Sequence, residues 1–181
     1  MSDKQDNMPK LLNLGSGDDY RDGWLNIDID SSINPDMVVD LDEYPWPFPS
    51  DHFLQVEARH VFEHVSDPLV AFREVTRILQ DGGEFIFTYP IGHTRFEDPT
   101  HKQFWNWHTA SMLAGERKHA HEVDVSLELV DRDLPWGISK KEPLIYLYAY
   151  YRLWFRGIGP WIDGIPGLYG EVTATYKCRE E

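Results

Sequence analysis

Cysteine is almost absent: the chain has one, Cys178, so no internal disulfide can form and a bridge-stapled scaffold is excluded. A reducing, cytoplasmic setting is the corresponding expectation. Long apolar runs are missing too. Charges interrupt each of them well short of the roughly 18 residues a membrane-spanning helix needs, so no transmembrane segment is expected. The first ten residues, MSDKQDNMPK, hold no apolar stretch, which predicts a tail over 1–10 and no secretory signal. Basic residues are few. Seventeen Lys and Arg stand against 31 Asp and Glu, for a formal net charge of −14. Such a field repels nucleic acid at long range and argues against a nucleic-acid partner. Asp exceeds Glu and Lys is scarce, a composition suited to concentrated salt. A halophilic host is one expectation, and an ordinary acidic cytosolic protein is the other.

What remains is a globular chain of 181 residues, 41% hydrophobic and 14% aromatic, enough for a single domain over 11–181. Short apolar runs predict strands at 10–14, 24–28, 37–40 and 53–58. Proline at 45, 47 and 49 forbids regular structure before the last of these. Asp67 followed by Pro68, with Leu69, Phe72, Val75, Ile78 and Leu79 on one face, predicts a capped amphipathic helix. Asp81-Gly82-Gly83 is expected to end it, and Glu84 to Thr88 to form the next strand. Residues 89–121 read as a polar, aromatic insertion, 122–130 and 171–177 as closing strands, and 143–161 as an aromatic helix. The alternation of strand and crossover is that of an α/β sheet.

Three features fall at the tips of successive predicted strands, where open α/β sheets bind ligands. Gly15-Ser16-Gly17 follows the first strand, and its glycines permit a tight turn and close backbone approach to a ligand. Asp28, with Ile29 beside it, ends the second strand, where a carboxylate can accept from two ribose hydroxyls. Asp40-Leu41 ends the third, offering an acceptor for an amino group and an apolar side chain for a ring.

This series, followed by Val61-Phe62-Glu63-His64-Val65 and by Leu79-Gln80-Asp81-Gly82-Gly83-Glu84-Phe85, resembles the class I S-adenosylmethionine-dependent methyltransferases. It is nearest to the small-molecule branch with a V-L-E-H-V-type segment after strand four, and the likeness covers about residues 11–90. The resemblance implies a Rossmann-like, mostly parallel seven-stranded sheet with an antiparallel last strand, and S-adenosyl-L-methionine as cofactor. It would place Gly15, Ser16 and Gly17 beneath the methionine moiety, Asp28 at the ribose, Asp40 and Leu41 about the adenine, and His60 near the methyl-donating end, with Ile29 as a further cofactor contact. One departure stands out. Family members carry a helix between strands one and two, whereas only Gly15 to Gly23 is available here, fewer than the dozen or so residues of a usual parallel crossover. A sheet face short of helices is expected, covered by the aromatic segment 143–161 or by a second subunit in a homo-oligomer.

His60-Val61-Phe62-Glu63-His64 also spells H-x-x-E-H, a zinc-hydrolase pattern when it lies on a helix. Here a predicted strand runs into His60 and a new helix starts at Pro68, so that geometry is not expected and no metal is assigned. Asp98-Pro99-Thr100-His101 is the other chemical candidate, since relatives of the resembled branch carry similar segments facing the acceptor. His101 is expected to act as base or positioning group with Asp98 orienting it; the alternative is a turn at Asp98-Pro99 with His101 capping a helix. Arg95, Lys102, Trp105 and Trp107 are candidate acceptor contacts, with core packing of the aromatics as the alternative. The expected activity is methylation of an oxygen or nitrogen on a small-molecule or glycan-type acceptor. The alternative is a catalytically silent module of the same fold serving binding or assembly. No N/D-P-P-Y or P-C segment of the DNA base methyltransferases is present, which again disfavours nucleic acid.

Overall fold

A computed structural model of the chain describes residues 8–92, 94–116, 126–133 and 169–179. Its centre is one sheet of seven strands: β1 (Leu11–Leu14), β2 (Leu25–Asp28), β3 (Met37–Val38), β4 (Phe53–Arg59), β5 (Leu79–Gly92), β6 (Leu127–Asp133) and β7 (Tyr169–Cys178). They lie in the order β3-β2-β1-β4-β5-β7-β6, with β7 antiparallel to both of its neighbours and the other pairings parallel. Strand order reverses between β1 and β4, so the loops leaving those two strands diverge and open a crevice at their carboxyl ends.

Helix α1 (Pro68–Ile78) forms where its cap and pattern demand. The Asp67 carboxylate accepts from the amides of Leu69 and Val70 at 3.1 and 3.2 Å, Pro68 opens the first turn, and Ala71, Phe72, Val75 and Ile78 are buried. The buried face meets an aromatic cluster in which Phe72 lies 5.3–5.5 Å from Phe62, Phe85 and Phe87, mostly edge-on. A short helix, α2 (Thr109–Leu113), adds Ala110 and Leu113 to the core.

Several boundaries differ from expectation. α1 passes directly into β5 at Leu79, and the Gly82-Gly83 pair, expected to separate helix from strand, forms a bulge inside the strand. Leu79 pairs with Phe53 and Glu84 with Gln55, so residues 80–83 loop out opposite Leu54. Gly82 there has φ of +71°, and a Cβ on Gly83 would stand 2.8 Å from the Gln80 carbonyl, which is why glycines occupy the bulge. β5 then continues to Gly92 because Tyr89 to Gly92 pair with Val172 to Tyr169, so the expected insertion at 89 begins after this strand. β6 begins at Leu127 and ends at Asp133, held by its antiparallel ladder with β7; residues 117–125 and the aromatic segment 143–161 lie outside the described residues. Residues 8–10, expected in the tail, are tied down: His52 Nε2 lies 3.3 and 3.2 Å from the carbonyls of Met8 and Pro9, and the Leu54 amide donates to the Lys10 carbonyl.

The missing helix between β1 and β2 is a finding of the structure, and the reason lies in the sheet. Asn26, Asn13 and Glu57 stand side by side in register on the face away from α1, a polar row where an apolar one would call for a helix. Residues 15–24 lie across that row as a strap. Asn13 Nδ2 donates to the Asp19 carbonyl at 2.8 Å, Asn26 Oδ1 accepts from the Arg21 amide at 2.9 Å, and the Arg21 guanidinium joins Asp19 and Glu57. The expected need for apolar cover by 143–161 or a second subunit therefore does not arise across β1, β2 and β4, where the covered groups are polar and paired.

Candidate active site

Loops at the carboxyl ends of β1 to β4 enclose a cavity of about 760 Å³. The loop after β1 holds Gly15 at φ of +61° and Gly17 at +48°. A Cβ on Gly15 would fall 2.5 Å from Val61 Cγ2, so the turn presses on the loop after β4, whereas nothing lies within 4 Å of a Cβ on Gly17. Ser16 is buried, and its amide donates to the Ile27 carbonyl at 2.8 Å, pinning the turn to β2. The Asp28 carboxylate closes this corner: Oδ2 accepts from the Gly17 amide and Oδ1 from the Asp30 amide, both at 2.9 Å. Ile29 next to it is exposed.

Beyond β3, Asp40 Oδ1 accepts from the Asp42 amide at 2.9 Å. Asp42 in turn receives the Ser66 amide at 2.8 Å, the Ser66 hydroxyl at 2.6 Å and the Lys102 ammonium at 3.0 Å. Burial pushes the Asp42 carboxyl up, and the Ser66 donors with Lys102 outweigh it, leaving it below the ordinary carboxylate range. After β4, His60 adopts φ of +52°, rare for a residue with a side chain. Its Nε2 lies 2.7 Å from Glu171 Oε2 on β7 and its Nδ1 3.4 Å from Glu63 Oε1. Pairing with the Glu171 carboxylate, then with that of Glu63, raises the imidazole to about 9 against the effect of burial. His60 is thus a cation at neutral pH rather than a proton acceptor.

All eight residues that the resemblance assigns to the cofactor, from Gly15 to His60, line this one cavity. Of the expected acceptor-side group, only Lys102 does. Trp105 is buried 5.8 Å from the Phe87 ring and 6.2 Å from that of Tyr89, and Trp107 lies under the Arg132 guanidinium at 4.0 Å, so both serve packing. Arg95 donates to the Trp105 carbonyl at 2.9 Å and stacks over Phe96. Asp98 accepts from the Thr100 amide and hydroxyl at 2.8 and 2.6 Å, forming the turn, and makes no side-chain bond to His101. His101 is oriented instead by the Arg95 carbonyl, 2.9 Å from its Nδ1, and its ring rests 4.9 Å from that of His64. His64 lines the cavity, as do Arg59, Val61 and Asp42, none of which sequence reasoning singled out for a ligand. Arg59 and Val61 flank His60 in sequence and Asp42 follows Asp40 by two, so adjacency was the available signal. Lys102 reaches the cavity too, but its ammonium is engaged by Asp42 and Ser66.

A family model described as a methyltransferase domain matches residues 25–87, the stretch from β2 into β5 that builds most of this cavity. Over that third of the chain the sequence is similar to methyltransferase domains. The uncharacterized methyltransferase YcgJ of Bacillus subtilis is 38% identical over 60 residues, which is 33% of this chain and 22% of that protein, so the match spans about a fifth of the relative's length. The solved structure of the same protein superposes with a TM-score of 0.56 at 14% identity, covering 98% of this chain and 96% of that one. A chain from the complex of the Haloferax volcanii Trm112 methyltransferase activator with a methyltransferase gives 0.60 at 15% identity, covering 96% and 85%. Phosphoethanolamine N-methyltransferase 2 of Haemonchus contortus, solved with S-adenosyl-L-methionine, gives 0.58 at 11% identity, covering 96% of this chain and 49% of that one.

Proposed function

We propose that the cavity binds S-adenosyl-L-methionine and that the chain transfers a methyl group to an oxygen or nitrogen of a small-molecule or glycan-type acceptor. The observation that carries this reading is the convergence, in one cavity, of all eight residues singled out for the cofactor. The cofactor fits what is there. About 760 Å³ is within the usual range for a ligand of this size. Gly17 leaves open space where any side chain would intrude. Asp28 spends only part of its acceptor capacity on the Gly17 and Asp30 amides, so lone pairs remain for ribose hydroxyls. Ile29 and Leu41 are apolar surfaces for a ring, beside Asp40 as acceptor. The structure of the Haemonchus enzyme with S-adenosyl-L-methionine supports the same choice.

When bound, the cofactor supplies an electrophilic methyl group on a sulfonium. The chain's own task is then alignment and exclusion of water, which supply much of the rate in a direct displacement. Calorimetric titration of S-adenosylmethionine and S-adenosylhomocysteine tests the reading. Micromolar binding of both is expected, weakened about tenfold or more in Asp28→Ala by loss of the carboxylate's hydrogen bonds. A folded wild type that binds neither would overturn it in favour of a silent module.

A further inference from the structure

We infer that Glu63, His64 and His101 form a site for one divalent transition-metal ion at the edge of the cavity. One carboxylate oxygen of Glu63 and one ring nitrogen of each histidine lie within 4.8 Å of one another. The fold assembles them from two segments. Glu63 and His64 sit on the turn that leaves β4, closed by the His64 amide donating to the Val61 carbonyl at 3.0 Å. The amides of Lys102 and Gln103 donate to the Glu63 carbonyl at 2.7 and 3.0 Å, which brings the neighbouring His101 against His64.

The carboxylate is the decisive observation. Glu63 has no exposed surface, and neither of its oxygens receives a hydrogen bond among the described residues. A buried carboxylate in that state is strongly unfavourable unless a cation faces it. The His60 imidazolium faces Glu63 Oε1 from 3.4 Å but is shared with Glu171, which it meets at 2.7 Å, and Glu63 Oε2 has no hydrogen-bond partner among the described residues. A metal ion bound by Glu63, His64 and His101 would give the carboxylate the direct partner that this shared, longer contact does not.

The histidines are held as ligands require. The Arg95 carbonyl can only accept, so His101 Nδ1 carries the proton and Nε2 keeps its lone pair. The single hydroxyl proton of Thr100 goes to Asp98 at 2.6 Å, so Thr100 Oγ1 accepts from His64 Nδ1 at 3.1 Å, and Nε2 of His64 is likewise free to ligate. Two imidazoles and a carboxylate suit zinc, cobalt or ferrous iron better than magnesium or calcium. Three protein ligands leave a position for water or for an oxygen donor from the cavity, which His64 lines. The ligand set differs from the H-x-x-E-H pair, because His60 is turned to Glu171 and the third ligand comes from 37 residues after His64.

The test uses the full chain, stripped with chelator and titrated with cobalt(II), following the visible absorption bands and displacement by zinc. One equivalent is expected to bind, at least tenfold more weakly in His64→Ala and in His101→Ala, and as tightly or more so in His60→Ala. Equal binding by wild type and a His64→Ala/His101→Ala double variant would overturn the assignment, as would a loss in His60→Ala matching that in His101→Ala. Far-UV circular dichroism confirms the fold of each variant. Both histidines are partly exposed, so they carry the test should Glu63→Gln fail to fold.

Discussion

Gly15 and Val61 are packed so closely that a Cβ at the first would stand 2.5 Å from Cγ2 of the second. Together with φ of +61° this makes Gly15 intolerant of any side chain. Gly15→Ala is expected to cost about 1–3 kcal/mol in denaturant melts. Adding Val61→Ala should recover part of that, leaving the backbone strain, so the two changes couple. Gly17→Ala meets nothing within 4 Å, should lose only about 1 kcal/mol to its φ of +48°, and should weaken cofactor binding more than it weakens the fold. Strict additivity at Gly15 and Val61 would remove the steric account.

The strap over the polar row gives a contrast between two arginines. Arg21 and Arg59 both pair with Glu57, whose side chain is 5% exposed, but Arg21 is 17% exposed and Arg59 59%. Charge pairs gain strength as water is excluded, and a buried carboxylate is costly to leave unpaired. Arg21→Ala is expected to lose about 2–3 kcal/mol of stability and Arg59→Ala less than about 1 kcal/mol. Equal losses in urea melts would show that the strap does not carry the pair.

The cavity lining at the ends of β1 to β3 was legible because its chemistry is local. Gly15 to Gly17, Asp28 and Asp40 each follow directly on a short apolar strand, and turn chemistry and strand tips can be read within a few residues. α1 was legible for the same reason, from Asp67, Pro68 and a helical apolar period. The surroundings of Arg95 to Trp107 were not, since contacts distant in sequence set them. Trp105 is drawn into the core by Phe87 and Tyr89, and His101 is placed by backbone bonds to Glu63 some 40 residues earlier. β5 owes its length to pairing with β7, which no period in residues 79–92 reveals. The bulge at Gly82-Gly83 looked like a helix stop because glycine serves both ends.

Glu74 links acid stability to the proline-rich segment. Its carboxylate accepts from Arg77 at 2.9 and 2.6 Å and from the Trp46 amide at 2.8 Å, and Arg77 also donates to the carbonyls of Phe48 and Trp46. The Arg77 hydrogen bond, outweighing burial, holds the Glu74 carboxyl below its ordinary value of 4.5. A depressed folded value means the stabilisation is present above the unfolded pKa and lost as pH falls through the folded one. Glu74→Gln should therefore be about 1 kcal/mol less stable than wild type at neutral pH, with the gap closing below about pH 4. A gap that persists into acid would assign the loss to packing instead.

The charge of the cavity predicts a difference in binding between the proposed cofactor and its demethylated product. Asp18, Asp19, Asp28, Asp40 and Asp42 line the cavity against Arg59, Lys102 and His60, in a chain of net charge −14. S-adenosylmethionine carries one net positive charge, on its sulfonium, and S-adenosylhomocysteine carries none. The summed field therefore attracts the first and is indifferent to the second, and salt screens that attraction over about 10 Å at ~0.1 M. Asp19 is partly neutralised by Arg21 and Asp42 by Lys102, which limits the effect to the net excess of acid. Affinity for S-adenosylmethionine should fall about threefold to tenfold between low and molar salt, and that for S-adenosylhomocysteine should hold nearly constant. Calorimetry across a salt series reads both slopes. Parallel slopes would mean that the paired cations cancel the aspartates at the ligand, leaving discrimination between cofactor and product to direct contacts with the sulfur.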